Sequence, residues 1–574
     1  MKKVFGIDLG TTYSCIAVVD EHNKPVVISN ADGERITPSV VYFEDMGNGQ
    51  MNIDVGGNAK SYAQMYPENV VSFIKRQIGT EFTFELNEQS YRAEAISALI
   101  LKKLADSAEQ ATGEKVEDVV ITVPAYFGVN EREATKLAGE IAGLNVVGLI
   151  NEPTAAALAY GITRESNKRI LVYDLGGGTF DVTLINVQPD TIEVIVTGGD
   201  HDLGGKNWDD MIIEYLVSEF EASTGISADE LLENPETAQL LQAEAEKAKK
   251  TLTTRSLAPV RVIHGIERKK VDLTREKFSE ITEQLLERTI DLTNLMLEDA
   301  LNKGAGQNQF DEIILVGGST RMPQIKERLM SEYGMEPIFF EPDEAVAKGA
   351  ALYGQQKSIQ DWVQKELEEL KPDLKLELHQ YNYTPVESSA SVVESIAKLT
   401  PEEKTSMYER AATIFRIPPM SIEKMAQQTI KNVTSKSFGV VAMVEVNGQS
   451  EERVINLIRK NDTLPCHCSQ QFGTFYANQD NAQLQVMENE LMEAELTLDY
   501  AKLIGDAILE LPPGLPQDAP IEVTYTLKED GCLQVTGIDT TYNNVVNVTI
   551  QTNSVIAAEE IEETKLIVKD FNFA

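Results

Sequence analysis

The sequence is poor in the residues on which disulfide bonds, metal centres and nucleic-acid contacts depend. Its 574 residues include only 4 cysteines, 5 histidines and 2 tryptophans. So few cysteines exclude a disulfide framework and favour a reducing compartment. Lysine and arginine number 51 against 91 aspartates and glutamates, and the net charge of −40 disfavours binding to nucleic acid or anionic lipid. No run approaches the roughly 18 apolar residues of a membrane span, so we expect a cytoplasmic protein without nucleic-acid or membrane partners.

The chain has an ordinary share of apolar residues, 42%, arranged in distinct patterns. That share excludes wholesale disorder, and the length argues for more than one domain. Residues 1–355 alternate β-branched runs with helical patterns, which is typical of βαβ construction. Residues 356–431 have charged helical patterns, residues 432–555 alternate apolar and polar residues, and residues 556–574 form one amphipathic helix pattern. These patterns predict an α/β domain, a helical insert with a linker, an antiparallel β domain and a short C-terminal helix.

Two segments of the α/β part are alike, FGIDLGTTYS at 5–14 and VYDLGGGTFDVT at 172–183. Each runs from an apolar strand into an aspartate, a glycine-rich turn and hydroxyl residues. Glycines let the backbone approach a phosphate, and a carboxylate at each strand end can hold Mg²⁺ through waters. One such segment alone would be interpreted as an ordinary β-turn, but two in the same order indicate phosphate binding. A GxxxxGK[ST] loop is absent, because GDHDLGGKN at 199–207 lacks the first glycine and the hydroxyl, and this favours the actin-like nucleotide-binding architecture.

Nine motifs, two of which come from the paired segments above, occur in a fixed order and carry a family resemblance. They are GIDLGTTYS, IKRQIG, VITVPAYF, INEPTAAALAYG, DLGGGTFDV, LGGKNWD, AEKAKKTL, ILVGGSTRMP and EPDEAVAKGAA. The chain resembles the seventy-kilodalton heat-shock chaperones, an ATP-dependent family. The resemblance implies an actin-like two-lobed ATPase domain over 1–355, a helical insert and linker over 356–431, a β-sandwich substrate-binding domain over 432–555 and a truncated helical lid over 556–574.

Carried over by position, the resemblance implies hydrolysis of ATP to ADP and phosphate, with Mg²⁺ as cofactor and K⁺ as a further candidate ion. The residues that it implies for catalysis are Lys75, Glu152, Asp174, Thr179 and Asp181, with Asp8 and Asp174 holding Mg²⁺ largely through waters. Carboxylates and one ammonium suit in-line hydrolysis, which needs charge stabilisation and an oriented water.

The same resemblance implies a set of nucleotide-binding residues. They are Gly10, Thr11, Thr12, Tyr13, Gly177, Gly178, Gly204, Gly205, Glu246, Lys249, Lys250, Thr253, Gly318, Ser319, Arg321 and Asp343. Four of them have i, i+3, i+4 and i+7 spacing and so share one helix face, namely Glu246, Lys249, Lys250 and Thr253. By themselves they would be interpreted as a solvated face, whereas the family binds the adenosine there.

The β domain resembles the peptide-binding domain of the family. The residues implied to line a cleft for an extended apolar segment are Val440, Ala442, Met443, Phe472, Phe475, Ala482 and Leu484. Apolar pockets with main-chain hydrogen bonds suit recognition of unfolded segments. The alternative is that these are ordinary core residues of a β sandwich. The partners implied are unfolded or extended polypeptides, with a J-domain co-chaperone and a nucleotide exchange factor as candidates.

Several departures from the family bear on its regulation. The segment MAQQTIKN stands in place of a leucine-rich acidic linker, which predicts weak or rebuilt coupling between domains. Pro124 and Arg132 of the family's interdomain relay are retained, whereas Gly148 stands where bacterial members carry the arginine that engages J-domain partners. The segment after Gly79 is short, which trims one ATPase subdomain, and a short lid predicts fast peptide release.

The residues are compatible with two other functions. An ATP-switched regulatory or scaffold protein with one dedicated partner is favoured by the altered linker, Gly148 and the reduced lid. A small-molecule kinase on the same architecture is disfavoured, because the motifs are those of hydrolases. Cys466 and Cys468 flank His467, but two close cysteines and one histidine fall short of four zinc ligands.

Overall fold

The computed structural model describes residues 3–46, 51–86, 89–161, 167–304, 310–370, 389–542, 544–548, 561–562, 564–565 and 568. The first lobe comprises β1 (Val4–Asp8), β2 (Tyr13–Val19), β3 (Pro25–Val27), β4 (Thr37–Pro38), β5 (Val40–Asp45), β6 (Met51–Val55), α1 (Gly57–Tyr62), β7 (Val70–Ser72), β8 (Thr83–Leu86), β9 (Gln89–Arg92), α2 (Ala93–Thr112), β10 (Asp118–Val123), α3 (Val129–Ile141), β11 (Asn145–Asn151) and α4 (Glu152–Gly161), with 3₁₀ turns at Pro67–Asn69 and Ile74–Gln77.

The main sheet of this lobe has the order β11-β10-β1-β2-β3, with β4 paired to β2. Strand β1 is apolar on both faces, and Phe5 and Ile7 are fully buried in a core shared with α2. Because β1 and β2 form an antiparallel hairpin, Asp8 and the glycine turn that follows it lie at the edge of the sheet.

The second lobe repeats this plan. It comprises β12 (Lys168–Leu175), β13 (Phe180–Val187), β14 (Thr191–Asp200), α5 (Gly205–Thr224), α6 (Ala228–Glu233), α7 (Pro235–Leu252), β15 (Leu257–His264), β16 (Glu267–Thr274), α8 (Arg275–Ile281), α9 (Glu283–Asn302), β17 (Glu312–Val316), α10 (Pro323–Tyr333) and β18 (Ile338–Phe339), with a 3₁₀ turn at Gly318–Arg321. The next helix, α11 (Ala345–Leu370), returns to the first lobe and packs against α4, β1 and β2. The sheet of the second lobe has the order β18-β17-β12-β13-β14 before one later strand joins. The hairpin of β12 and β13 places Asp174 and a second glycine turn where the first lobe has Asp8.

The predicted insert consists of helices. They are the second half of α11 with α12 (Ser389–Ala397), α13 (Pro401–Phe415) and α14 (Pro419–Gln427), and α11 continues without interruption across position 355. The start of α13 is set by its sequence, because Thr400 and Glu403 form a capping box around Pro401 in the first turn. The core of the insert is apolar and comprises Ile359, Val363, Leu367, Val392, Ile396, Leu399, Met407, Tyr408, Ala411, Ile417, Ile422 and Ala426.

The predicted linker forms a short strand directly after the insert. Strand β19 (Thr429–Lys431) pairs in parallel with β14 and so becomes the edge of the second-lobe sheet. Ile430 is buried in a core that also contains Ile192 and Val194 of β14. The leucine-poor segment therefore still makes a strand contact with the α/β part.

Two antiparallel sheets form the β domain, as predicted. Its strands are β20 (Ser437–Val446), β21 (Gln449–Ile458), β22 (Cys466–Gly473), β23 (Asn481–Asn489), β24 (Glu495–Leu496), β25 (Lys502–Glu510), β26 (Pro520–Leu527), β27 (Leu533–Asp539) and β28 (Asn544–Val548), with a 3₁₀ turn at Leu498–Tyr500. The sheet orders are β24-β21-β20-β23-β25 and β22-β26-β27-β28. Tyr525 is fully buried between the sheets, and its hydroxyl donates to the Gly439 carbonyl at 2.9 Å.

The β domain contacts the first lobe through a polar cluster at the start of α3. The Lys436 ammonium lies 3.7 Å from the centroid of the Tyr126 ring and 2.8 Å from a Glu490 carboxylate oxygen. The Tyr126 hydroxyl donates to the same carboxylate. Arg132 donates to the Asp530 carbonyl at 3.3 Å, so one of the two predicted relay residues lies at this contact.

Most of the predicted lid, 556–574, lies outside the described residues. Among its helical residues that are described, Ile561 and Val568 pack against the core of the first lobe. Val568 is only 2% exposed. These two side chains therefore contact the α/β part.

Candidate functional site

A cavity of about 1080 Å³ contains nearly all of the residues implied for the ATPase site. All but four of them line it, namely Asp8, Gly10, Thr11, Thr12, Tyr13, Lys75, Glu152, Asp174, Gly177, Thr179, Glu246, Lys249, Lys250, Thr253, Gly318, Ser319, Arg321 and Asp343. The other four, Gly178, Asp181, Gly204 and Gly205, are not among its lining residues. The cavity thus brings together residues that are up to 335 positions apart in the sequence, from Asp8 to Asp343.

The two glycine turns face each other across the cavity. A Cβ atom on Gly177 would clash with the Thr12 side chain, and one on Gly178 would clash with Thr11. Only glycine lets the two turns approach this closely. The third glycine segment joins them, because the Gly205 amide donates to the Gly176 carbonyl at 2.9 Å. This arrangement brings glycine backbone and the side chains of Thr11, Thr12 and Thr179 to the cavity wall, a composition that suits phosphate binding.

Behind the turns lies a buried group of four carboxylates with one ammonium. The Lys75 Nζ is 2.5 Å from a Glu152 carboxylate oxygen, and both side chains are less than a tenth exposed. Burial alone would lower the pKa of Lys75, but Glu152 and Asp8 outweigh it and raise that pKa. The lysine is therefore held in its charged form.

The three aspartates carry more negative charge than one ammonium can balance. Burial, followed by the charge of Glu152, raises the pKa of Asp8 and of Asp181 to about 7 each. The same two causes, in the same order, raise the pKa of Asp174. Such shifts mark a site that lacks compensating positive charge.

A divalent cation fits this site. Asp181 accepts from the Tyr126 amide at 3.2 Å through Oδ1, while its buried Oδ2 has no hydrogen-bond partner in the part of the chain that the structure describes. Within that same part, no group of three or more His, Cys, Asp or Glu side chains is arranged to hold a metal. Asp8 and Asp174, whose side chains line the cavity, are the residues that would hold such an ion.

On the opposite wall, helix α7 presents the implied adenosine residues. Glu246 accepts from Lys60 at 2.5 Å and forms an ion pair with Lys250 at 2.7 Å. Burial alone would raise the pKa of Glu246, but the two ammonium groups lower it to about 2. Lys249 instead reaches the third glycine segment, donating to the Gly205 carbonyl at 2.7 Å and to Asp209 at 2.8 Å.

The remaining implied residues complete this wall. Ser319 donates to the Gly176 carbonyl at 2.8 Å, and Arg321 forms an ion pair with Asp343. Gly317, which precedes this turn, has a φ of 82° and packs against the Leu175 carbonyl, so a larger residue would be both strained and obstructed there.

Sequence reasoning missed two cations that connect the lobes, Lys60 at the cavity and Arg76 beside the second glycine turn. Lys60 on α1 donates to the Tyr13 hydroxyl at 3.2 Å and to Glu246, and it thus connects the two lobes. Arg76 donates to the Gly178 carbonyl at 3.0 and 2.7 Å from Nε and Nη2. No pattern points to Lys60, whereas Arg76 directly follows Lys75 in the motif IKRQIG and could have been found there.

The implied peptide-cleft residues are divided between core and surface. Val440 and Leu484 are buried in the core of the β domain, and Phe472 and Ala482 pack against that core. Ala442 is half-buried. Met443 and Phe475 are 45% and 57% exposed.

The structure also places the cysteine pair of β22 and the proline of the predicted relay. Cys466 and Cys468 face the core of the β domain, while His467 between them is exposed on the other face of β22. Pro124 accepts a turn hydrogen bond from the Phe127 amide at 3.2 Å. No helix among the described residues is both long and apolar enough to cross a membrane.

A comparison with protein families agrees with this geometry. A family model described as Hsp70 protein matches residues 4–412 and 411–572, which is essentially the whole chain. Members of this family are, in general, ATP-dependent chaperones that bind ATP or ADP with Mg²⁺ and act on unfolded polypeptides. With the cavity, its two facing glycine turns and its buried carboxylates already in place, this match establishes that the chain belongs to the Hsp70 family.

Proposed function

We propose that this protein hydrolyses ATP to ADP and phosphate and uses that cycle to control the binding of extended apolar segments of unfolded proteins. One observation carries the proposal. Two glycine turns, the carboxylates of Asp8, Glu152 and Asp174, and Lys75 converge at one cavity between two lobes, with the buried carboxylate of Asp181 behind it. Phosphoryl transfer needs positioning and charge stabilisation more than covalent chemistry, and this set of groups supplies both.

Each group has a defined task in this proposal. The Lys75 ammonium, held charged by Glu152, stabilises negative charge on the transferred phosphoryl group. The carboxylates of Glu152 and Asp181 orient the attacking water and accept its proton. Mg²⁺, when bound near Asp8 and Asp174, supplies charge neutralisation to the phosphates.

The peptide site is proposed between two strand edges of the β domain. Strand β20 pairs with β23 only from Ser437 to Val440, although both strands continue beyond that point. Their unpaired edges accordingly diverge next to Met443 and Ala482. An extended peptide can add to such edges by main-chain hydrogen bonds, while exposed apolar side chains contact its side chains.

A single-turnover ATPase assay with and without an unfolded apolar peptide tests the coupled activity. We expect saturating peptide to raise the hydrolysis rate, because nucleotide and peptide bias the same conformational equilibrium. An unchanged rate at full peptide occupancy would rule out the coupling. Adding a J-domain protein to the same assay tests whether that partner acts despite Gly148.

Lys75→Ala separates hydrolysis from binding. We expect loss of turnover with ADP still bound, because Lys75 contributes charge at the phosphoryl group and not at the adenosine wall. Preserved turnover would contradict the role of Lys75.

A peptide array distinguishes a chaperone from a scaffold protein, since broad preference for apolar peptides supports a chaperone and binding of a single peptide supports a scaffold.

A further inference from the structure

The helical insert ends at a buried hydrogen-bonded junction with the strand that follows it. Gln356 and Gln360, one turn apart on α11, are 3% and 8% exposed. Their side-chain amides donate to the Gln428 carbonyl at 2.7 and 3.0 Å. Gln428 is the C-cap residue of α14, and the next residue, Thr429, begins β19. No spacer therefore separates the insert from the interdomain strand.

The strand itself is held at both of its ends. The Thr429 amide donates to the Asp190 carbonyl at 2.9 Å, and the hydroxyl groups of Thr429 and Thr191 are 3.1 Å apart. After the strand, the Thr154 hydroxyl donates to the Asn432 side chain at 3.1 Å. The side chain of Ile430 lies between these contacts, in the core below β14.

Releasing the strand would disturb the insert as well. The insert has its own apolar core, and α11 anchors it because the first half of that helix packs against β1, β2 and α4. If Gln428 moved away, the buried Gln356 amide would lose its acceptor, and the Gln360 amide would keep only the Met425 carbonyl at 3.5 Å. Buried donors with absent or distant acceptors are costly. A folded tether without a spacer also keeps the strand at a high effective concentration beside β14.

From these contacts we infer that the helical insert is an intramolecular clamp, which keeps strand β19 docked on β14 in the ATP-bound and ADP-bound forms alike. In this protein the nucleotide would then act on the β domain without freeing the strand that joins it to the α/β part. The inference rests on the proposed nucleotide cycle only for the choice of ligands. The test of the clamp needs no hydrolysis and no peptide. The clamp can therefore be refuted while the proposed ATPase activity stands, and the ATPase activity can be refuted while the clamp stands.

Hydrogen–deuterium exchange of the full-length protein tests the clamp. In the wild type, a peptide covering residues 428–433 should exchange equally slowly with saturating MgADP and with a non-hydrolysable ATP analogue. Strong protection with the ATP analogue and rapid exchange with ADP would overturn the inference. This comparison requires no variant and decides the matter even if a variant fails to fold.

A pair of variants tests the junction itself. Gln356→Met with Gln360→Met removes both amide donors at nearly constant side-chain volume, and we expect exchange of residues 428–433 to quicken roughly 10- to 100-fold. Gln364→Ala is the matched control, because this glutamine lies one turn further along α11 and donates to Glu368 instead. Exchange at Met407–Ala411 reports whether the insert core is intact. Unchanged protection in the double variant would refute the role of these amides.

Discussion

At the scale of single residues, Arg76 connects the two lobes beside the proposed catalytic groups. It follows Lys75 in one 3₁₀ turn of the first lobe, yet it donates to the Gly178 carbonyl and, at 2.9 Å, to the Asn207 side chain of the second. The Asn207 oxygen also accepts from the Gly204 amide at 2.9 Å. One guanidinium therefore connects both glycine segments of the second lobe.

We expect Arg76→Lys to lower the single-turnover hydrolysis rate roughly tenfold while ADP affinity changes little. A lysine cannot donate the paired hydrogen bonds of a guanidinium. The two glycine segments of the second lobe would then no longer be held in fixed positions relative to Lys75. Arg328→Lys is the control, since Arg328 forms ion pairs with Glu287 and Glu332 on the surface of the second lobe. A rate equal to wild type in Arg76→Lys would contradict this role.

A second prediction at the residue scale concerns Lys60. Its ion pair with Glu246 joins α1 to α7 across the cavity, so Lys60→Ala should speed ADP release about threefold, as expected for a partly exposed pair. Stopped-flow release of a fluorescent ADP measures the effect. Lys247→Ala, which breaks an exposed pair with Glu244 on α7, should leave the release rate unchanged.

At the scale of elements, strands β20 and β23 combine core and surface positions that the sequence alone could not separate. Leu484 lies in the core of the β domain, so Leu484→Ala should lower the free energy of unfolding of that domain by about 2–5 kcal/mol.

Met443→Glu with Phe475→Glu should weaken peptide binding at least tenfold with little change in stability, because both side chains are exposed. Denaturant unfolding and fluorescence anisotropy with a labelled peptide measure the two effects.

Tyr500→Glu controls for added charge, since Tyr500 is 67% exposed in the 3₁₀ turn before β25. Peptide affinity that survives the double charge substitution would favour the alternative reading, in which no cleft forms at Met443 and Phe475.

At the scale of the whole molecule, the contact between the β domain and α3 includes a buried carboxyl group, that of Glu488. Glu488 accepts from the Val129 amide at 3.3 Å, beside Gly128. Burial and then the charge of Glu131 raise the pKa of Glu488 to about 7, which Lys436 and Lys502 only partly offset. Between the ordinary pKa of a glutamate and pH 7, the docked form therefore holds a proton that the separated form has already released.

Docking should accordingly weaken as the pH rises through 7. Between pH 6 and 8 a single group with this shift weakens docking by up to about tenfold. Energy transfer between one dye on the α/β part and one on the β domain measures it. In Glu488→Gln this part of the pH dependence should disappear, and a dependence that persists would assign it to other groups.

Much of the candidate nucleotide site was accessible from sequence, because its groups lie in short contiguous motifs at strand ends and the cavity brings most of them together. Asp8 is the last residue of β1 and Asp174 the last but one of β12, and each precedes a glycine turn, so the local pattern points to both. Lys60 could not be found in this way, because its role depends on Glu246, which is 186 residues distant.

By itself, the sequence determined the order of the parts, the pairing of two glycine turns with acidic strand ends, and the helical nature of the insert, since each depends on local periodicity and turn chemistry. Only the tertiary structure decided which glutamines of α11 hold Gln428. It also decided that the linker adds to β14, and that Val440 and Leu484 face the core while Met443 faces solvent. The reason is that side-chain burial and long-range hydrogen bonds follow from how the elements pack, and the same local pattern is compatible with several packings.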